Sequence, residues 1–145
     1  MPTTVHLTLT LEQAQAVCDA LDLYSRLGIG QIEEVASLVR SGMIPTFRSA
    51  ELPRAVANID ACEQVETLLH AVKQALGYPR HGSYGIGHAH VAKGTHRCFE
   101  TKKALEQALA LHRNPNPEFR GVNYDGLLLR YTRDPAPVAR VTTEA

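Results

Sequence analysis

The chain opens on an alternation. In Thr-Val-His-Leu-Thr-Leu (residues 4–9), Val5, Leu7 and Leu9 alternate with His6 and Thr8, the period of a half-buried strand. At Thr10 the period changes. Thr-Leu-Glu-Gln reads as a capping box with Gln13 in its third position, and it predicts a helix from Leu11 to about Leu27. Along that helix Val17, Leu21 and Tyr24 line one stripe and Ala16, Ala20, Leu23 and Leu27 an adjacent one, a face wide enough for more than one neighbour. Gly28 supplies a left-handed turn to end it. A second helix is predicted from about Gly30 to Arg40, with Ile32, Val35, Ala36 and Val39 inward, closed by Ser41-Gly42 and barred from continuing by Pro45. The join Leu-Gly-Ile-Gly-Gln is short enough to make these two helices neighbours.

Residues 43–57, interrupted by Pro45 and Pro53, predict a loop with about one helical turn at most. A third helix, from near Asn58 to Gly77, carries Cys62, Val65, Leu69, Val72 and Leu76 at spacings of three and four, with Leu68 widening the stripe. That row suits an intramolecular core or a seam between subunits. Residues 78–97 lose helical periodicity and hold Pro79 and four glycines. A fourth helix is predicted from about Cys98 to Arg113, with Phe99, Leu105, Ala108 and Leu109 inward, stopped by Asn-Pro-Asn-Pro at 114–117. Within Val122–Thr132, Leu127-Leu128-Leu129-Arg130-Tyr131 reads as a strand; Asp134-Pro-Ala-Pro is a turn or edge, and the tail from about 140 is expected to fray. The expectation is an α+β fold, mostly helical: about four helices, with the N-terminal strand and the short C-terminal strand forming a small sheet, in a single domain over residues 1–145.

Composition narrows the classes of function. Fifteen basic residues balance fifteen acidic ones, so the chain has no net field to hold a nucleic-acid duplex, and any ligand charge must be matched locally. No run approaches the roughly 20 apolar residues of a membrane span, and no secretory signal opens the chain, so no membrane partner and a cytoplasmic location are expected. Cys18, Cys62 and Cys98 are odd in number and too far apart for a CxxC pair, which reads as buried, reduced thiols.

Candidate chemistry gathers between Arg80 and Arg97. In Arg80-His81-Gly82-Ser83-Tyr84-Gly85-Ile86-Gly87-His88, glycines let the backbone approach a ligand and form an anion-binding nest. Arg80, His81, Ser83, His88 and Arg97 add donors, and Tyr84 can stack on a base. The segment is neither a Walker loop nor a dinucleotide fingerprint. His88 and His90 would point the same way on a strand, but no Asp, Glu or Cys between residues 67 and 97 completes a metal set, so neither metal nor cofactor is expected. Tyr24 and Arg26, beside the first interhelical turn, and Asn123 and Asp125, in Arg-Gly-Val-Asn-Tyr-Asp-Gly (120–126), form a second tier of ligand-binding candidates. The alternative for the last two is turn chemistry alone, and for Tyr24 a place in the core.

Three segments carry a resemblance: Ala-Leu-Asp-Leu-Tyr-Ser-Arg-Leu-Gly-Ile-Gly-Gln-Ile-Glu-Glu-Val (20–35), Gly-Ser-Tyr-Gly-Ile (82–86) and Val-Asn-Tyr-Asp-Gly (122–126). Together they resemble small proteins of tailed bacteriophages and prophages, in which a strand–helix unit with an LDLYxRxxxGQxEE run precedes a Ser-Tyr-Gly-Ile segment, a helix and a short C-terminal strand. The resemblance implies a fold order and no activity. By analogy of size and context it implies a counter-defence protein of the infected host's cytoplasm. The leading expectation is a homo-oligomeric binding protein that sequesters a small anionic, nucleotide-derived signal of host immunity without cleaving it. A protein–protein inhibitor or regulator of a host protein, gripping through the third or first helix, is the alternative. A small hydrolase built on His88 or His90 is the third.

Overall fold

A computed structural model describes residues 2–47 and 54–143, with backbone alone for 54–58. Among these residues the elements are α1 (Leu11–Gly28), α2 (Glu34–Arg40), α3 (Arg54–Ala75), α4 (Lys93–Arg113) and a 3-10 turn at Val122–Tyr124. Part of the loop expected over 43–57, with Pro53, and the last two residues of the expected frayed tail lie outside the described residues.

The expected sheet is absent: the described residues contain no strand, and the fold is helical rather than α+β. At the N-terminus, alternation alone does not make a strand. Val5 and Leu7 are 91% and 73% exposed, and Leu9 is the one member of the row that packs on a core. At 127–131 the reason is more specific. The backbone N–H groups of Tyr131 and Thr132, which a ladder would use, both donate to the Glu100 carboxylate, at 2.6 and 2.8 Å. A side chain from a helix has taken the place of a neighbouring strand.

The chain divides into two compact units. One comprises residues up to Ser25 and from Ile86 onward; the other is Arg26–Gly85. In the first unit, α1 begins with the capping box read from sequence. Thr10 N–H donates to Gln13 Oε1 at 2.9 Å and Gln13 N–H to Thr10 Oγ1 at 3.2 Å. The fully buried residues of α1 are Ala14, Cys18 and Ser25; of the expected stripe Val17 and Leu21 are half-buried and Tyr24 is exposed. Ala14 and Cys18 pack with Leu109 of α4, flanked by Leu9 and Leu105. Ser25 satisfies its buried hydroxyl on the Leu21 carbonyl at 2.7 Å. α4 starts at Lys93, five residues before the expected Cys98, because Gly94 is accommodated inside its first turn rather than breaking it.

In the second unit, α2 begins at Glu34 rather than Gly30. Residues 29–31 are spent instead on a turn in which Gly30 N–H donates to the Leu27 carbonyl and Gln31 N–H to that of Arg26. α2 packs on α3 through Ala36, Val39 and Cys62, with Ala61, Val65 and Leu69 at the margin. The Cys62 thiol donates to the Ala36 carbonyl. The apolar row of α3 is used only in its first half. Positions seven and eleven after Cys62 share its face, and the second of these is Lys73, which is fully buried. Leu68, Val72 and Leu76 consequently stand 67%, 44% and 60% exposed.

Candidate functional site

The end of α3 is a glycine-terminated turn. Gly77 adopts φ 84°, Gly77 N–H donates to the Gln74 carbonyl and Tyr78 N–H to the Lys73 carbonyl, both at 3.0 Å. This is a Schellman arrangement, and it turns the chain so that Tyr78 and Arg80 lie back along α3. Tyr78 is fixed from several sides. Gly30, at φ 96°, sits so close to its ring that any Cβ there would overlap it. The Tyr84 ring meets it edge-on at 5.7 Å, and the Lys73 ammonium lies 5.8 Å from its centroid. Tyr84 N–H also donates to the Ile29 carbonyl at 2.9 Å. The Leu-Gly-Ile-Gly turn and the Ser-Tyr-Gly segment, two of the runs singled out in the sequence, are thus one piece of structure.

Between α3 and the residues that follow its terminal turn lies a cleft of about 560 Å³, lined by Thr67, His70, Ala71, Gln74, Tyr78 and Arg80. His81 joins its margin, its ring edge-on to His70 at 5.9 Å. Arginine, imidazole, carboxamide and phenol line the cleft, and no carboxylate does. The neighbouring acids are already committed. Glu33 takes the buried Lys73 ammonium on both oxygens, at 3.0 and 3.2 Å. Partial burial works to raise the Glu33 carboxyl, but its own backbone N–H, Lys73 and the nearby His70 outweigh it and hold it below its ordinary value. Glu66 pairs with Arg40 at 3.4 Å. Arg80 has no ion-pair partner among the described residues.

The expected donors do not all meet here. Arg80 and His81 do. Ser83 is exposed, and the Tyr84 ring meets Tyr78 edge-on without lining the cleft. Arg26 hydrogen-bonds Gln31 at 3.2 Å and lies 3.6 Å from Glu34. The remaining candidates belong to the other compact unit. There the His88 ring accepts the His90 backbone N–H at 3.1 Å, and the two rings stand edge-on at 5.0 Å. Tyr24 is 57% exposed rather than in the core. Asn123 folds back over Gly121, and Asp125 closes the 3-10 turn through its N–H on the Val122 carbonyl.

Arg97 is spent on structure. Its Nε donates to Asp134 at 2.6 Å, Lys93 approaches the same carboxylate at 4.0 Å, and Arg130 donates to the Asp134 carbonyl. The hydrogen bond from Arg97 holds the Asp134 carboxyl below its ordinary value. Beside this cluster Glu100 is buried and accepts from Tyr131 N–H, Thr132 N–H, the Thr132 hydroxyl and Arg130 Nε. Burial would raise its carboxyl; those donors outweigh burial and leave it below the ordinary range. His96 stacks on Tyr131 at 5.2 Å with Nε2 at 2.7 Å from the Ile86 carbonyl. The whole set ties residues 130–134 to α4.

Sequence reading missed Thr67, His70 and Gln74 because they sit on the polar side of a helix valued for its apolar stripe, and Tyr78 because only the turn at Gly77 brings it back to them. A signal existed: residues 67, 70, 71 and 74 recur at spacings of three and four on one helix face, and no acidic residue occurs after Glu66 until Glu100. No group of three or more His, Cys, Asp or Glu able to hold a metal ion exists among the described residues. No helix among them is long and apolar enough to cross a membrane. No family model matches the chain, and no curated protein or solved structure is significantly similar to it.

Proposed function

We propose that this chain binds a small anionic, nucleotide-like ligand in the cleft between α3 and residues 78–81, and holds it without cleaving it. The observation that carries this reading is the lining: the Arg80 guanidinium stands with His70 and Gln74 around a cavity that no carboxylate enters. Such a site favours an anion by charge and offers planar, directed donors to its oxygens. Thr67, the hydroxyl in the cleft, donates its proton to the Glu63 carbonyl at 3.1 Å, the arrangement of a wall rather than of an activated nucleophile. The resemblance to phage proteins adds the context: a nucleotide-derived signal of host immunity is the cargo such a protein would sequester.

Isothermal titration against a panel of cyclic nucleotides and ADP-ribose derivatives tests the reading. Binding by the wild type, weakened in Arg80→Ala, with ligand recovered unchanged after heat denaturation, is the expected result. No heat with any member at micromolar protein rejects it. Release of a modified product favours a hydrolase instead.

The exposed row of Leu68 and Val72 on α3 and Leu76 just past its end favours a second reading, a regulator that grips a host protein through that helix. In that case Leu68→Glu with Leu76→Glu abolishes the biological effect, while Arg80→Ala leaves it intact.

A further inference from the structure

The charges around the cleft narrow the ligand. We propose that the group it recognises is a phosphomonoester dianion, captured together with protons on the His70–His81 pair. This rests on the anion-binding reading above and asks more of it.

Charged and titratable groups flank the two imidazoles on α3 and on the segments packed against it. From α3 come Glu63, Glu66 and Lys73; from the segment preceding α2 comes Glu33; and from the turn after α3 come Tyr78, Arg80 and Tyr84. Glu33 cancels Lys73 at 3.0 Å, and Arg40 of α2 cancels Glu66 at 3.4 Å. Glu63 is exposed, two turns before His70. Arg80 is then the one permanent positive charge in the lining. One guanidinium balances one negative charge, which is all that a phosphodiester or a carboxylate carries. A phosphomonoester carries a second, and near neutral pH the groups here able to answer it are the imidazoles.

Imidazole changes charge close to physiological pH, so a small change of environment decides its state. Two imidazolium rings 5.9 Å apart beside Arg80 repel one another when the cleft is empty. A dianion within reach of all three reverses that balance. Binding and proton uptake are therefore one event. A diester gains less, because Arg80 alone already neutralises it.

The test is calorimetric titration of the full chain at pH 7.5 with adenosine 5′-monophosphate, adenosine 3′,5′-cyclic monophosphate and inorganic phosphate. Each titration is run in two buffers of different ionisation heat. At that pH the monoester is already dianionic. The monophosphate is expected to bind with net uptake of about one proton or more, and at least about tenfold more tightly than the cyclic diester. His70→Gln and His81→Gln should each lower the uptake, and the double variant should remove it while keeping the weak, Arg80-dependent binding of the diester. Inorganic phosphate as tight as the monophosphate assigns the affinity to the phosphoryl group; weaker phosphate adds a contact to the nucleoside; both support the proposal. Monophosphate binding without proton uptake, or a diester that binds equally well, overturns it and leaves the anion cleft standing. No binding of any probe by folded protein removes the cleft reading itself.

Discussion

Two cation-bearing regions of this molecule are made of the same residue types and end in opposite electrostatic states. On α4, Lys93 and Arg97 converge on Asp134, while Arg130 and two backbone N–H groups converge on Glu100. At the end of α3, His70, Arg80 and His81 border a cleft whose lining contains no carboxylate. The first arrangement is closed: each cation has an anion from a distant part of the chain, and the product is a fastened C-terminal segment. The second is open. An arginine in a glycine-rich, histidine-rich run is not by that fact a ligand donor; what matters is whether the fold brings an acid to it.

The contrast can be broken from its closed side first. Glu100→Gln keeps the shape but removes a buried, multiply hydrogen-bonded charge, which costs about 2–4 kcal/mol. Urea denaturation should show that loss, and hydrogen exchange should show reduced protection of the Tyr131 and Thr132 amides. Unchanged protection there would mean that Glu100 does not fasten the segment.

Next in size is the wall of the open side. Gly30→Ala requires a left-handed backbone and a methyl group inside the Tyr78 ring. A loss of about 1–3 kcal/mol is expected in thermal or urea unfolding, with weaker anion binding because Tyr78 is displaced. If the Gly30→Ala protein proved as stable as wild type, Gly30 and Tyr78 would not be packed together.

A paired substitution then addresses the comparison directly. Arg80→Ala should weaken anion binding roughly tenfold or more, the loss of a charge-assisted hydrogen bond. Arg97→Ala, which removes a partner of Asp134, should leave anion affinity unchanged. Equal losses in the two variants would erase the distinction between the regions.

The smallest effect is in pH. The Glu100 and Asp134 carboxyls both lie below their ordinary values in the folded chain. A depressed carboxyl contributes stability that is complete above its unfolded value, near pH 4, and is lost as pH falls through the folded value. Melting temperature should hold from neutrality to about pH 5 and drop on further acidification, and Glu100→Gln should flatten that drop. A variant with the wild-type acid profile would assign the acid sensitivity elsewhere.

Much of the fold was legible. The capping box at Thr10 and Gln13, the stop at Asn114 and the helical periods of α1 and α3 all show in local sequence, because each depends on residues within a turn or two. The site was half legible. Arg80 and His81 stood out in their run, whereas Thr67, His70 and Gln74 were hidden on the polar face of an amphipathic helix. Buried Lys73 was not legible at all. Its charge is tolerable inside because Glu33, forty residues earlier, receives it.

Local sequence dictated where helices form, to within about two residues where they stop, and that a donor-rich stretch without acids lies between Glu66 and Glu100, while α2, α3 and α4 begin four or five residues from their expected starts. The folded arrangement settled what became of those possibilities. Alternation at Val5–Leu9 and apolar character at Leu127–Tyr131 could have made a sheet, but the backbone groups at 131 and 132 found Glu100, thirty-one and thirty-two residues away. Arg97 could have bound a ligand, but Asp134 lies 2.6 Å from it. Caps and helical periods are set by neighbours in sequence; strand pairing and charge neutralisation need a partner from elsewhere in the chain, and folding alone supplies it.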